Sequence, residues 1–195
     1  MTSRRDAVRA LAGFAALPML QKLGVGDVVE VGQHGHAVAE LRRKAATAAP
    51  RALTAAEYDM VVAAAERIIP RTTTPGATDA HVADFIDVML ADWYEPAETA
   101  DFKRGLPELD TRAQAISGRP FVQTPAAQQT NVLETLDAEL QVRRNAKTSD
   151  ADDHWFAMLK HLTVWGYYTS EVGITKELRV QVMPGYYDGN AQYPA

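Results

Sequence analysis

The chain has 195 residues, of which 47% are hydrophobic and 23% charged, so most of it has the composition of a single domain folded around a core. It contains no cysteine, which excludes disulfides, iron–sulfur ligation, thiolate zinc sites and cysteine nucleophiles; five histidines are a small stock for an enzyme of this size. The net charge of −5 divides unevenly: residues 1–50 carry 7 basic and 4 acidic side chains, residues 51–195 carry 13 and 21, and so acidic a body excludes nucleic acid as the expected partner.

The chain opens Thr2-Ser3-Arg4-Arg5-Asp6-Ala7-Val8-Arg9 and continues into the mildly apolar stretch 10–20. A basic start followed by a short apolar run reads as an address, and it is too short for a membrane-spanning helix, which needs about 20 apolar residues. Ser3, Arg4, Arg5 and Val8 resemble a twin-arginine export signal over residues 1–23. The nearest small-residue cleavage pattern, Ala37-Val38-Ala39, lies far downstream. Residues 24–52 read as a linker, broken by Gly24, Gly26, Gly32 and Gly35. His34 and His36 lack a third ligand in sequence and are expected in a solvated loop rather than on a metal.

The body, residues 53–166, reads as an all-α bundle of about five helices. Thr54 and Glu57 form a capping box, with Leu53 and Tyr58 at staple positions. A helical stripe at 58, 61, 62, 65, 68 and 69 follows and stops at Pro70. The second helix places Val82, Phe85, Ile86, Met89, Leu90 and Trp93 inward, and leaves Asp84, Asp87 and Asp92 on what should be a solvated face. The third is expected from about 96 to 117, with Phe102, Leu106, Leu109, Ala113 and Ile116 inward and Pro107 kinking or splitting it. Thr124-Pro125 should cap a fourth helix with Val132, Leu133, Leu136 and Leu140 buried. The fifth, from Asp150–Asp153, is apolar over most of its circumference and should be the central helix. His154 and His161 share a face on it but have no carboxylate at metal-ligand spacing, so a core or interface role is expected.

After Gly166 the helical period is lost to the eye. Residues 167–195 read as an extended, aromatic tail that either wraps a partner or packs back on its own bundle; in the first case Trp165, Tyr167, Tyr168, Glu171, Tyr186 and Tyr187 are the expected interface residues. No phosphate-binding glycine loop, nucleophile elbow or H-E-x-x-H helix is present, so no catalytic, cofactor-binding or metal residue is assigned.

Six motifs stand in a familiar order: Leu53-Thr54-Ala55-Ala56-Glu57, Arg67-Ile68-Ile69-Pro70, Thr74-Pro75-Gly76-Ala77, Phe85-Ile86-Asp87 with Trp93-Tyr94, Gly166 to Gly173, and Pro184 to Gly189. Together they resemble the gluconate 2-dehydrogenase subunit 3 family, over about residues 50–190. That resemblance implies a non-catalytic small, or gamma, subunit of a periplasmic sugar dehydrogenase complex associated with the inner membrane. It implies a catalytic partner of the glucose–methanol–choline type that carries the FAD. The small subunit would supply the twin-arginine signal and assist that partner's folding and maturation, and a multi-haem cytochrome c subunit would accept the electrons. Lacking cysteine, this chain cannot form an intersubunit disulfide. Two other readings stand beside this one: an unrelated exported binding or scaffold protein, and a self-standing enzyme built on His154 and His161.

Overall fold

The computed structural model describes residues 36–37, 49–146 and 154–179. Among them the regular structure is entirely helical. Six α-helices follow one another: α1 (Ala55–Ile68), α2 (Val82–Asp92), α3 (Pro96–Gly105), α4 (Pro107–Ser117), α5 (Ala126–Asn145) and α6 (Trp155–Tyr168). A short 3-10 turn, Phe121–Gln123, precedes α5, and a π-helical turn, Gly173–Glu177, follows α6.

The start of α1 is as the sequence predicts. The Glu57 amide donates to Thr54 Oγ1 at 3.3 Å and the Thr54 amide donates to Glu57 Oε2 at 2.7 Å, so both halves of the capping box form. The predicted third helix is two helices. Pro107 has no N–H to continue the ladder, and its ring opens a new first turn while Leu106 serves both ends as the joint. That split makes six helices instead of five. Ile116, predicted inward, is 47% exposed at the end of α4. Thr124 does not cap α5; its hydroxyl donates back to the Pro120 carbonyl at 3.0 Å and pairs with Ser117 Oγ at 2.9 Å. The expected fifth helix begins at Trp155, later than predicted, with the His154 Nδ1 accepting from the Phe156 amide at 3.3 Å as its cap.

Helix α6 is the central element and packs against α1, α2, α3 and α5. Trp155, Phe156, Leu159, Leu162 and Tyr167 reach into a core shared with Phe85, Phe102, Phe121, Leu109 and Leu136. Each fully buried side chain of this kind contributes about 1.5–3 kcal/mol, so the apolar face of α6 is a principal source of stability. Two glycines allow its close packing. A Cβ at Gly166 would lie 2.7 Å from the Phe85 ring, and one at Gly105 would lie 1.9 Å from Trp155 Cγ.

The acidic residues of α2 do not form a solvated face. Asp87 is 1% exposed and accepts from three successive backbone amides: Arg51 (2.8 Å), Ala52 (2.9 Å) and Leu53 (3.1 Å). Lys103 donates to the Ala52 carbonyl at 2.6 Å. The segment entering α1 is therefore held through its N–H groups by Asp87 of α2 and through its Ala52 carbonyl by the Lys103 ammonium of α3. Asp92 pairs with Arg51 at 2.8 Å, and Asp84 accepts from Tyr58 Oη at 2.8 Å.

Candidate partner interface

The inner face of α6 carries Trp155, Phe156, Leu159, Leu162, Thr163, Gly166 and Tyr167, all buried. The opposite stripe, at spacing i, i+3, i+4 and i+7, consists of His161, Val164, Trp165 and Tyr168. Val164 and Tyr168 are each 39% exposed, and Trp165 is half-buried. The Trp165 ring meets Phe85 edge-on at 5.5 Å and lies 5.8 Å from the His161 ring. Val164 and Tyr168, with the half-buried edge of Trp165, put branched and aromatic apolar surface on the outer side of a central helix, the composition of a protein contact; on the same stripe His161 has its Nε2 buried.

The chain does not leave the bundle at Gly166. Helix α6 runs on to Tyr168, which makes Tyr167 an interior residue: it is 1% exposed, and its hydroxyl donates to the Pro75 carbonyl at 2.6 Å. The assignment of Tyr167 to a partner surface is thus corrected; it fastens the 71–80 loop to α6. Beyond the helix, Ser170 Oγ donates to the Tyr167 carbonyl at 2.6 Å and accepts from the Gly173 amide at 3.0 Å. Gly173 packs directly on that carbonyl, where a Cβ would come within 2.0 Å of the oxygen. The Gly173–Glu177 turn is pinned by Thr74 Oγ1, which donates to Glu177 Oε2 at 2.6 Å. The first part of the predicted tail is therefore helical and docked. Glu171 lies on this segment and is exposed, as is Leu178 at 43%. Tyr186 and Tyr187, like Ser3, Arg4 and Arg5, lie outside the described residues.

His36, read as part of a solvated loop, packs on the bundle. Its ring stacks on Phe85 at 4.6 Å, and Nε2 is 3.1 Å from Thr169 Oγ1 at the end of α6. Nothing in the local sequence marks this contact, because its partners lie far along the chain. His34 is outside the described residues. Among the described residues no three His, Asp or Glu side chains stand together in a way that could hold a metal ion. No helix among them is long and apolar enough to cross a membrane.

Burial holds the His161 imidazole below the usual histidine range, and its Nε2 is enclosed without a hydrogen-bond partner among the described residues. The unfolded chain therefore takes up this proton first as the pH falls. The neutral ring's contribution is complete above about pH 6.5 and is lost as the pH drops below that value toward the folded-state value. Melting temperatures followed by circular dichroism should fall from pH 7 to pH 5, and His161→Phe should flatten that slope. An unchanged slope in the variant would remove His161 as the cause.

Neither a curated protein nor a solved structure matches the chain. The profile of one family does, across α1 to α6 and the turn beyond. It spans residues 55–185 and is that of gluconate 2-dehydrogenase subunit 3, and the chain belongs to that family.

Proposed function

We propose that this chain is the non-catalytic small subunit of a periplasmic FAD-dependent sugar dehydrogenase complex associated with the inner membrane. The observation that carries the reading is the family match over residues 55–185, a family of dehydrogenase small subunits. The outward stripe of α6 supports it by offering an apolar contact on the bundle's central helix. In this reading Ser3, Arg4 and Arg5 form the twin-arginine signal, and the folded, FAD-loaded catalytic subunit of the glucose–methanol–choline type travels with it. A multi-haem cytochrome c subunit then takes the electrons. The small subunit's own contribution is thermodynamic. By binding only the folded partner it stabilises that state by mass action, through an interface of the obligate class, roughly 2,000 Å² or more.

The test is co-purification from cells expressing the whole operon, through a tag on this chain. The flavoprotein should come with it, seen by the flavin absorbance and by mass spectrometry. Combined Trp165→Ala and Tyr168→Ala should cut recovery at least about tenfold, in line with losses of about 2 kcal/mol or more at aromatic hot spots. Full recovery with the double variant would move the interface off α6. Arg4→Lys with Arg5→Lys should abolish periplasmic dehydrogenase activity while leaving the complex intact in the cytoplasm; undiminished periplasmic activity would sink the export role.

A further inference from the structure

Upstream of residue 49 the described chain is His36 and Ala37, which are helical, His36 half-buried and Ala37 exposed. Two contacts of His36 lead to Trp165 on the outward stripe of α6. The first runs through rings. The imidazole stacks on Phe85 with centroids 4.6 Å apart and planes at 26°, and the same phenyl ring meets Trp165 at 5.5 Å and 82°. Phe85 is 0% exposed, and a Cβ at Gly166 would fall 2.7 Å from it, so the phenyl ring has no room to swing aside. The second runs through hydrogen bonds. Thr169 Oγ1 donates its proton to the Trp165 carbonyl at 2.7 Å, and His36 Nε2 is 3.1 Å from the same hydroxyl oxygen. With its proton so placed the hydroxyl accepts, and Nε2 carries the hydrogen. Each bond in such a chain strengthens the next.

These contacts come from outside the six helices, from a residue 133 positions before Thr169. They close on Trp165, the half-buried neighbour of exposed Tyr168. An aromatic anchor already held in its bound orientation loses less freedom on binding. We propose that His36 is a positioning residue of the partner surface, fixing the Trp165 indole through Phe85 and the Trp165 backbone through the Thr169 hydroxyl. The proposal rests on the reading of the α6 stripe as the flavoprotein contact. It adds that the chain preceding the bundle takes part in that contact. Coupling of this kind is reciprocal. An occupied stripe also holds His36 in its seat, the point from which the chain runs back toward Arg4 and Arg5.

The experiment uses the complex co-purified through the tagged chain and follows the rate at which the flavoprotein leaves the immobilised subunit. His36→Ala should speed release roughly fivefold or more, the lower end of typical couplings between sites. In a Trp165→Ala background the same change should speed it less than about twofold, because the group it positions is gone. An equal factor in both backgrounds would mean that His36 touches the partner by itself, and would overturn the positioning role; so would no change in either. His36→Phe keeps a stack on Phe85 and His36→Gln keeps a donor for Thr169, and each should restore part of the slow release. Failure of both to restore any of it would break the link through Phe85 and Thr169. Thr169→Val removes the hydroxyl at nearly constant volume; it should reproduce part of the loss, and it decides the matter if His36→Ala unsettles the fold. A wild-type chain that brings no flavoprotein would defeat the functional reading itself, a result distinct from all of these, and the proposal with it.

Discussion

Asp87→Ala should destabilise the fold by about 3–5 kcal/mol, lowering the melting temperature by on the order of 10 °C or more. The carboxylate accepts from the amides of Arg51, Ala52 and Leu53. Arg51 is exposed, so water replaces much of what its amide loses, at about 0.5–1.5 kcal/mol. The Leu53 amide has no such recourse, because the residue is 4% exposed, and it bears the larger penalty of a buried unsatisfied donor. Loosening this segment also removes the Leu53 side chain's fixed seat next to the α1 cap. Asp87→Asn keeps one acceptor oxygen but points an NH₂ group at N–H donors, and should fall between wild type and Asp87→Ala. Asp92→Ala is the internal control. It breaks the partly exposed pair with Arg51, a class of contact worth about 0–1 kcal/mol. Denaturant unfolding of the three variants separates them. Equal losses in Asp87→Ala and Asp92→Ala would show that the buried carboxylate has no special role.

Asp87 also marks the limit of what periodicity reveals. The apolar stripe of α2 was legible because Val82, Phe85, Ile86, Met89 and Leu90 recur at helical spacing, and all five are buried. The same rule assigns any charged residue off that stripe to solvent. It fails at Asp87 because the residues that satisfy the carboxylate are backbone amides 34 to 36 positions upstream, which no side-chain pattern records. Capping at Thr54 and Glu57 was legible for the opposite reason: donor and acceptor lie three residues apart. Pro107 was legible as a kink or a split, and the structure takes the split, with Leu106 as the joint.

The candidate interface was legible in composition and not in geometry. Trp165 and Tyr168 were identified as aromatic anchors and do share the outward stripe of α6. Tyr167, their neighbour, was grouped with them because Gly166 reads as a stop. In the structure Gly166 is a contact point, its missing side chain leaving room for the Phe85 ring, and the helix carries Tyr167 through to the inner face. A glycine in an α-helix costs about 1 kcal/mol relative to alanine, a weak signal that tertiary packing overrides here. His36 shows the converse. Its contacts with Phe85 and Thr169 arise across nearly fifty residues on one side and more than a hundred on the other, beyond any local pattern.

Gly105 gives the second large effect, and here two opposed terms decide the sign. Gly105 closes α3 and has no positive φ, so intrinsic propensity favours alanine there by about 1 kcal/mol. Against this, the new methyl would fall 1.9 Å from Trp155 Cγ, with the other two nearest atoms also on the indole at 2.2 and 2.4 Å. Such an overlap cannot be absorbed by a few tenths of an ångström. The indole is poorly placed to yield: it is 8% exposed at the first turn of α6, and its Nε1 donates to Glu108 Oε2 at 3.0 Å. Moving the ring breaks that bond and opens the α3–α6 contact, so overpacking of about 1–3 kcal/mol, or more, combines with a lost charge-assisted hydrogen bond of about 1.5–3 kcal/mol. Net destabilisation of about 2–4 kcal/mol should follow for Gly105→Ala, read from denaturant midpoints. Trp155→Leu removes the obstacle at its own cost, so in the double variant the penalty of alanine at 105 should shrink toward zero or reverse. If Gly105→Ala costs the same in both backgrounds, the indole is not what requires glycine at this position.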